Sequence, residues 1–328
     1  MPKRLLVVFL GALLVGAGVC LFRLEVRPLM ENLRPGKYPE QLVYARSADD
    51  VVNGGVLFTP PKESSRPLAI IWVHGWGTNF YNPSYVGIGR ALAERGYTMM
   101  SVNTRMHDVG NVEKYTFGRK RVRGGGYWGV TSEDARDIAA WVGLAENLGF
   151  ARVALVGHSA GWASVGRYQA DSQDQRVAGL VFASGALGYS AGADDAQLLA
   201  QAKKLVNDGA GEDLLRLPNR GFPSFISAAT HLDIVNTARE YKDFFGTQIP
   251  NPAVMRVRCP ILAFFGSKDD IGGEKELELL KSSVQRLARG PRRVDTTMIV
   301  GGNHEYVGEE TQVAQTIARW AETQLLGH

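Results

Sequence analysis

Three short runs, Leu68–Val73 (LAIIWV), Val153–Val156 (VALV) and Ile261–Phe265 (ILAFF), are apolar from end to end. Successive side chains of a strand point to opposite faces, so a strand with one wet face alternates polar and apolar residues. Unbroken apolar runs this short read instead as strands covered on both sides, as in a parallel sheet with helices above and below. Further strand-like runs at Gln41–Arg46, Val56–Thr59, Tyr97–Val102, Val177–Ala183 and Val294–Val300, with the second run extended to Arg152, bring the expected sheet to eight strands. Helical spacing appears between them at Ser84–Arg95, Ser132–Leu148, Trp162–Asp171, Glu274–Arg289 and Glu309–Leu325. The Ser132 helix carries a capping pattern, Thr131-Ser132-Glu133-Asp134, ahead of apolar positions Ile138, Trp141, Val142 and Ala145. A hairpin-like start followed by β-α alternation predicts an α/β chain with a mostly parallel sheet flanked by helices.

The rhythm breaks once. Between Gly188 and Arg256 lie one amphipathic helix (Ala196–Val206) and a stretch rich in Pro, Gly and aromatics. An insertion there is expected to form a lid over the sheet's carboxyl edge, about residues 188–256, within a single domain over 41–328. Residues 23–40 are charged and proline-punctuated and read as a tether.

The N-terminus has a different character. Lys3 and Arg4 precede an uncharged run from Leu5 to Phe22, which Arg23 ends. Its length as a helix is about 27 Å, close to the roughly 30 Å hydrocarbon core. The run is longer than the roughly 7–15 residues usual in a signal peptide, and its only small-x-small site, Gly16-Ala17-Gly18, lies inside it. An uncleaved signal anchor over 1–22 is the expectation, with a cleaved signal peptide or a buried core helix as alternatives. Basic residues flank both sides, but a short tail normally stays inside. The body is therefore expected to be exported, periplasmic or extracytoplasmic, with the cytoplasmic side left open.

Charge agrees with that division. The chain's net charge is +4. Residues 1–46 hold seven Lys/Arg and three Asp/Glu, so all the excess sits there and the remainder carries equal numbers of bases and acids. A balanced body argues against a nucleic-acid partner. Cys20 and Cys259 are too differently placed to pair and imply no oxidising compartment.

The chemistry gathers behind three of the strands. VALV runs into Gly157-His158-Ser159-Ala160-Gly161, and a helix follows. That strand–turn–helix setting, with glycine on both flanks, is what a nucleophile elbow requires. A serine hydroxyl attacks only when a base removes its proton, so a histidine and an orienting acid must exist elsewhere. ILAFF leads into Gly266-Ser267-Lys268-Asp269-Asp270, and Val294–Val300 into Gly301-Gly302-Asn303-His304-Glu305. Loops that leave the same edge of an open parallel sheet converge, so Ser159, one of the two aspartates, and His304 can meet. Donors for an oxyanion are expected from the backbone N–H of Ala160 and from His74-Gly75-Trp76-Gly77, where Trp76 N–H is the candidate.

With these pieces in hand, residues 41–328 resemble the α/β-hydrolase fold, serine esterase/lipase-like branch. The resemblance rests on H-G-x-G at 74–77, G-H-S-A-G at 157–161, G-x-x-D at 266–269 and Gly-Asn-His at 302–304. It implies that Asp269 is the acid, with Asp270 as the alternative. It also implies hydrolysis of small-molecule carboxylic esters through an acyl-enzyme, with no metal or organic cofactor. Acyl transfer or amide cleavage would use the same residues. A non-catalytic binding protein of this fold would have a broken triad.

Other candidates have plainer readings. His74 and His158 lie inside backbone motifs and read as packing or hydrogen-bonding residues. His107-Asp108 reads as a loop pair rather than a metal site. His231 and Trp128 are candidates for the acyl pocket. Arg119-Lys120-Arg121-Val122-Arg123 is either a solvated loop or a patch for an anionic group. Gly124-Gly125-Gly126 reads as a flexible link.

Overall fold

The computed structural model describes residues 35–114, 122–185, 195–217, 225–241, 243–247 and 249–327. The chain opens on an antiparallel pair, β1 (Glu40–Arg46) and β2 (Val52–Phe58). It continues through β3 (Ala69–Val73), α1 (Pro83–Ala93), β4 (Thr98–Val102) and a small antiparallel pair, β5 (Asn111–Lys114) and β6 (Val122–Gly124). Next come α2 (Asp134–Asn147), β7 (Val153–His158), α3 (Gly161–Ser172) and β8 (Val177–Ala183). The insertion holds α4 (Ala196–Asn207), the antiparallel pair β9 (Leu214–Arg216) and β10 (Phe225–Ser227), and α5 (Ala228–Tyr241). The last elements are β11 (Ile261–Gly266), α6 (Glu274–Gln285), β12 (Val294–Ile299) and α7 (Glu310–Trp320).

Eight strands make one sheet in the order β1-β2-β4-β3-β7-β8-β11-β12, antiparallel on either side of β2 and parallel from β4 to β12. The chain passes from β3 outward to β4 and then crosses back to β7. This reversal opens a crevice between the carboxyl ends of β3 and β7, where ligands of such sheets bind. The apolar runs have the expected cause. In β3 every residue is buried, with Ala69, Ile71 and Val73 in the core beneath α2 and α3, and Ile70 and Trp72 in the core beneath α1 and α7. Truncating one of these, Ile71→Ala for instance, removes about 2–5 kcal/mol of stability.

Differences from expectation are local. β2 begins at Val52 rather than Val56, because Gly54 and Gly55 lack strand-forming side chains although their backbones pair with β1, and Gly55 also with β4. The final helix ends at Trp320 and continues as a π-helical turn over Ala321–Leu326. The cap expected at Thr131–Asp134 is a 3-10 turn, and α2 starts only at Asp134. Thr131 Oγ1–H and Ser132 N–H both donate to Asp233 Oδ2, on α5 of the insertion. The triple glycine is not a flexible link. All three residues are buried, and Gly125 and Gly126 donate their N–H groups to Arg105 and Asp108 carbonyls at 2.7 and 2.8 Å.

The insertion has a core of its own, Leu198, Ala202, Leu215, Leu217, Ile226, Ala228 and Ile234, with Trp76 packed against it. Trp76 belongs to the loop after β3, so that contact seats the insertion at the sheet's carboxyl edge. Ser227 N–H donates to Tyr127 O at 2.7 Å, and Trp128 Nε1–H to Glu212 O at 2.9 Å.

The transmembrane anchor is corrected. Among the described residues no helix is long and apolar enough to cross a membrane. The longest, α2 and α5, have 14 residues each, about 21 Å against a roughly 30 Å core. Residues 5–22, like Arg119–Arg121, lie outside the described residues.

Candidate active site

β7 delivers Ser159 into a reversal of chain direction, and α3 departs two residues later. The turn forces Ser159 to φ +50°, a region that glycine enters freely and that most L-residues, asparagine and aspartate less so, avoid. The glycines beside it answer to space. A Cβ at Gly157 would stand 2.4 Å from Gly161 O, and one at Gly161 2.4 Å from His74 O. A Cβ at Gly75 would stand 2.8 Å from Ser159 Cβ, so the loop after β3 lies directly against the serine. Ser159 N–H donates to Ala183 O at 2.9 Å, and Ala160 N–H has no hydrogen-bond partner among the described residues.

Two further loops reach the serine. His304 Nε2 lies 3.0 Å from Ser159 Oγ, and His304 Nδ1 lies 3.2 Å from Asp269 Oδ1 and 3.4 Å from Oδ2. The Asp269 side chain has no exposed surface. Burial pushes its carboxyl up, but hydrogen bonds from His304, Ser184 and the Ile271 N–H overcome this and hold it below the ordinary carboxylate range. An ionised carboxylate only accepts, so His304 Nδ1 carries the proton and Nε2 accepts from the serine hydroxyl. Burial pushes His304 down, yet Asp269 above all, with Glu305 and Asp270, lifts it above the usual histidine value. Asp270 is exposed, and its carboxylate comes within 4.8 Å of the imidazole without bonding to it.

Ser184, Tyr306 and Tyr85 carry no sequence signal, whereas His158 and His74 take the hydrogen-bonding places expected of them. Ser184, after β8, donates its hydroxyl to Asp269 Oδ2 and lies 2.6 Å from the Tyr306 hydroxyl. Tyr85 of α1 donates to His158 Nδ1 at 2.7 Å, and His158 Nε2–H donates to His304 O at 2.8 Å. Burial keeps His158 below the ordinary histidine value, so its neutral ring braces the backbone of the loop that carries His304. His74 donates from Nδ1 to Gly75 O at 2.7 Å and accepts Thr104 N–H at Nε2 at 3.1 Å, which fixes the loop after β3. Glu305, half-buried beside His304, accepts from Asn82 Nδ2 at 3.1 Å.

A model of the alpha/beta hydrolase family matches residues 70–319. The chain belongs to the alpha/beta hydrolase family. Solved structures of the same fold include Est1E from Butyrivibrio proteoclasticus, at 17% identity and TM-score 0.57, covering 87% of this chain and 99% of that one. Alpha/beta hydrolase GrgF from Penicillium sp. sh18 is similar at 15% identity and TM-score 0.62, covering 88% and 99%. The esterase Pf2001 from Pyrococcus furiosus is similar at 12% and 0.54, covering 88% and 94%. At these identities the likeness is one of fold. No curated protein matches the sequence.

In this alpha/beta hydrolase, then, Ser159, His304 and Asp269 stand together, while Trp76 follows Gly75 with its ring against the insertion. A Cβ at Gly126 would stand 2.5 Å from Trp76 Nε1, so the glycine admits that ring. His231, expected near the acyl group, is fully buried in α5, and neither ring nitrogen has a hydrogen-bond partner among the described residues. Trp128 sits at the insertion's rim beneath Arg123, whose guanidinium lies 5.4 Å from its ring. His107 Nδ1–H donates to Asp108 Oδ2 at 2.7 Å. Among the described residues two sets could offer atoms to a cation, His158–His304–Glu305 and Asp269–Asp270–His304. Both need His304, whose nitrogens already face Ser159 and Asp269, so a cation there would break that line.

Proposed function

We propose that this hydrolase cleaves small-molecule carboxylic esters through an acyl-enzyme on Ser159. The observation that carries the reading is the line Ser159 Oγ–His304 Nε2 at 3.0 Å and His304 Nδ1–Asp269 Oδ1 at 3.2 Å, with the serine on a strained turn at φ +50°. Ser159 Oγ attacks the acyl carbon as its proton passes to His304 Nε2. Asp269 holds the tautomer and stabilises the imidazolium. The oxyanion is received by the N–H groups of Trp76 and Ala160, each of which contributes about 10²–10³ in kcat. The tetrahedral intermediate then expels the alkoxide, which takes the proton back from Nε2. Water adds to the acyl carbon with His304 again as base, and the intermediate collapses by breaking the bond to Ser159 Oγ, which takes the proton back from Nε2 as the carboxylic acid leaves. The insertion, seated against Trp76, serves as the lid that bounds the acyl group.

The test is covalent labelling of the full chain with a fluorophosphonate probe, beside turnover of p-nitrophenyl esters of increasing acyl length. Wild type is expected to label and to turn over, and Ser159→Ala to do neither. Labelling that survives in Ser159→Ala sinks the nucleophile assignment. Labelling without turnover of any ester redirects the reading to amides or to acyl transfer.

A further inference from the structure

Six non-glycine residues among those described hold φ between +48° and +70°, namely Asp50, Asp108, Ser159, Gln173, Ser184 and Tyr306. Three of the six meet at the acid–base line. Ser159 is accounted for by the elbow. Ser184 at +51° and Tyr306 at +58° are not, and neither residue type tolerates this region well. Backbone strain of this kind persists where the surroundings impose it, and it concentrates at functional sites.

The side chains show what the strain holds in place. Asp269 Oδ2 takes the Ser184 hydroxyl proton, since an ionised carboxylate has none to give. Ser184 has only that one proton, so across the 2.6 Å contact Tyr306 is the donor and Ser184 Oγ the acceptor. The result is a directed chain, Tyr306 O–H to Ser184 O–H to Asp269 Oδ2, fully buried at Tyr306 and Ser184. The other carboxylate oxygen, Oδ1, accepts from Ile271 N–H at 2.9 Å and from His304 Nδ1–H at 3.2 Å. Two anchors keep the hydroxyls where they are. Ser184 N–H donates to Phe264 O at 2.8 Å, and the Tyr306 ring packs edge-on against Phe264 and His158, at 5.6 and 5.7 Å between centroids.

We propose that Ser184 and Tyr306 are positioning residues for the acid, a two-hydroxyl strut that stops the Asp269 carboxylate from turning and so keeps Oδ1 on His304. This rests on the reading of Asp269 as the acid of the line. The end torsion of an aspartate is broad, and the Ile271 and His304 N–H groups, centred on Oδ1 with His304 only 3.4 Å from Oδ2, do not fix it. A third donor on Oδ2 does. Hydrogen bonds to a charged acceptor are the strong ones, and a hydroxyl that is itself hydrogen-bonded donates more strongly. Glycine would hold the backbone at position 184 without strain, so what serine adds there is its hydroxyl.

That last point separates positioning from packing. Ser184→Gly relieves the strained φ and removes the hydroxyl together with the single carbon that carries it. Tyr306→Phe keeps the ring and removes only its donor. Three readouts on the full chain are the melting temperature, the rate of fluorophosphonate labelling at Ser159, and the low-field NMR proton of His304 Nδ1–H. For Ser184→Gly we expect a melting temperature at or above that of wild type, labelling about tenfold slower, and a low-field proton that shifts or broadens. Tyr306→Phe is expected to label about threefold more slowly, and that loss to vanish in the Ser184→Gly background, because Tyr306 acts only through Ser184. The proposal is overturned if Ser184→Gly labels at the wild-type rate with its low-field proton unmoved. It is also overturned if melting temperature and rate fall together, which is the mark of packing, or if Tyr306→Phe loses the same factor in both backgrounds. Wild type that fails to label at all counts against the serine-hydrolase reading instead, while the proton of His304 still reports whether Ser184 holds Asp269 in place.

Discussion

Two histidines mark the contrast between the sheet's carboxyl edge and the insertion above it. His304 has both nitrogens engaged, is surrounded by Asp269, Glu305 and Asp270, and is raised above the ordinary histidine value. His231 is wholly buried with neither nitrogen partnered among the described residues, and burial holds it below that value. The first environment stabilises a positive charge and the second refuses one. At the edge, polar groups answer one another through a chain of hydrogen bonds. In the insertion a small apolar core is fastened to the body at a few points, Asp233 and Ser227 among them. On the proposed reading, one region moves a proton and the other covers it.

The sharpest way to break this contrast is at the acid. Asp269→Asn keeps the shape but favours the wrong histidine tautomer, and kcat is expected to fall about 10⁴-fold, while Asp270→Asn stays within about threefold of wild type. Comparable losses from the two would mean that the buried line is not what drives the serine.

Next in size is the pH response of the edge. The base must be neutral, and His304 is held above 6.5, so it stays protonated to a higher pH than a free histidine. The acid limb of kcat/KM should inflect above 6.5 and fall about tenfold per pH unit below that. An inflection at or below 6.5 contradicts the carboxylate field drawn around His304.

The insertion should respond to pH with the opposite sign. His231 is depressed below 6.5, so the unfolded chain takes up its proton first. Stability from this group is present above pH 6.5 and is lost as pH falls below it, by up to about 1.4 kcal/mol per unit. His231→Phe should flatten that loss in melting curves between pH 5 and 7 and leave ester turnover at pH 8 nearly unchanged. Parallel melting curves for variant and wild type would show that the imidazole is not shut away from water.

The smallest effect is expected at the fastening. Asp233→Ala frees Thr131 and Ser132, and KM for long acyl esters should rise severalfold while kcat stays within about threefold. An equal fall in kcat would place the insertion in the chemistry rather than over it.

The same contrast governs what could be read in the letters. The central strands β3, β7 and β11 were legible because two-sided burial demands uninterrupted apolar residues, as in LAIIWV, whereas the edge strands β1 and β12 carry polar residues and read only as strand-like runs. Ser159 and Asp269 were legible because each follows such a strand, His304 because it follows a strand-like run into Gly-Asn-His, and the elbow admits only glycine at 157 and 161. The braces were not. Ser184 follows a strand with no motif around it, and its role arises only where the loops after β8 and β11 touch. Tyr306 and Tyr85 stand in no motif that would single them out. In the insertion, β9, β10 and α5 gave weak signals, since three-residue strands have too few positions for a period to show. The N-cap of α2 misled for a related reason: its polar residues turned to Asp233, more than a hundred residues away in sequence. The apolar run at 5–22 had the composition of a membrane span, but no helix among the described residues answers to it.

The ester reading turns on the acylation of Ser159. Mixing the full chain with excess p-nitrophenyl acetate, quenching in acid within the first turnover and mapping the peptides by mass gives the most direct answer. A burst of p-nitrophenol matching the enzyme concentration and an acetyl group on the peptide that contains Ser159 are expected, both absent in Ser159→Ala. Steady release of p-nitrophenol with no acetyl on that peptide, or an acetyl elsewhere that persists in Ser159→Ala, would contradict that reading.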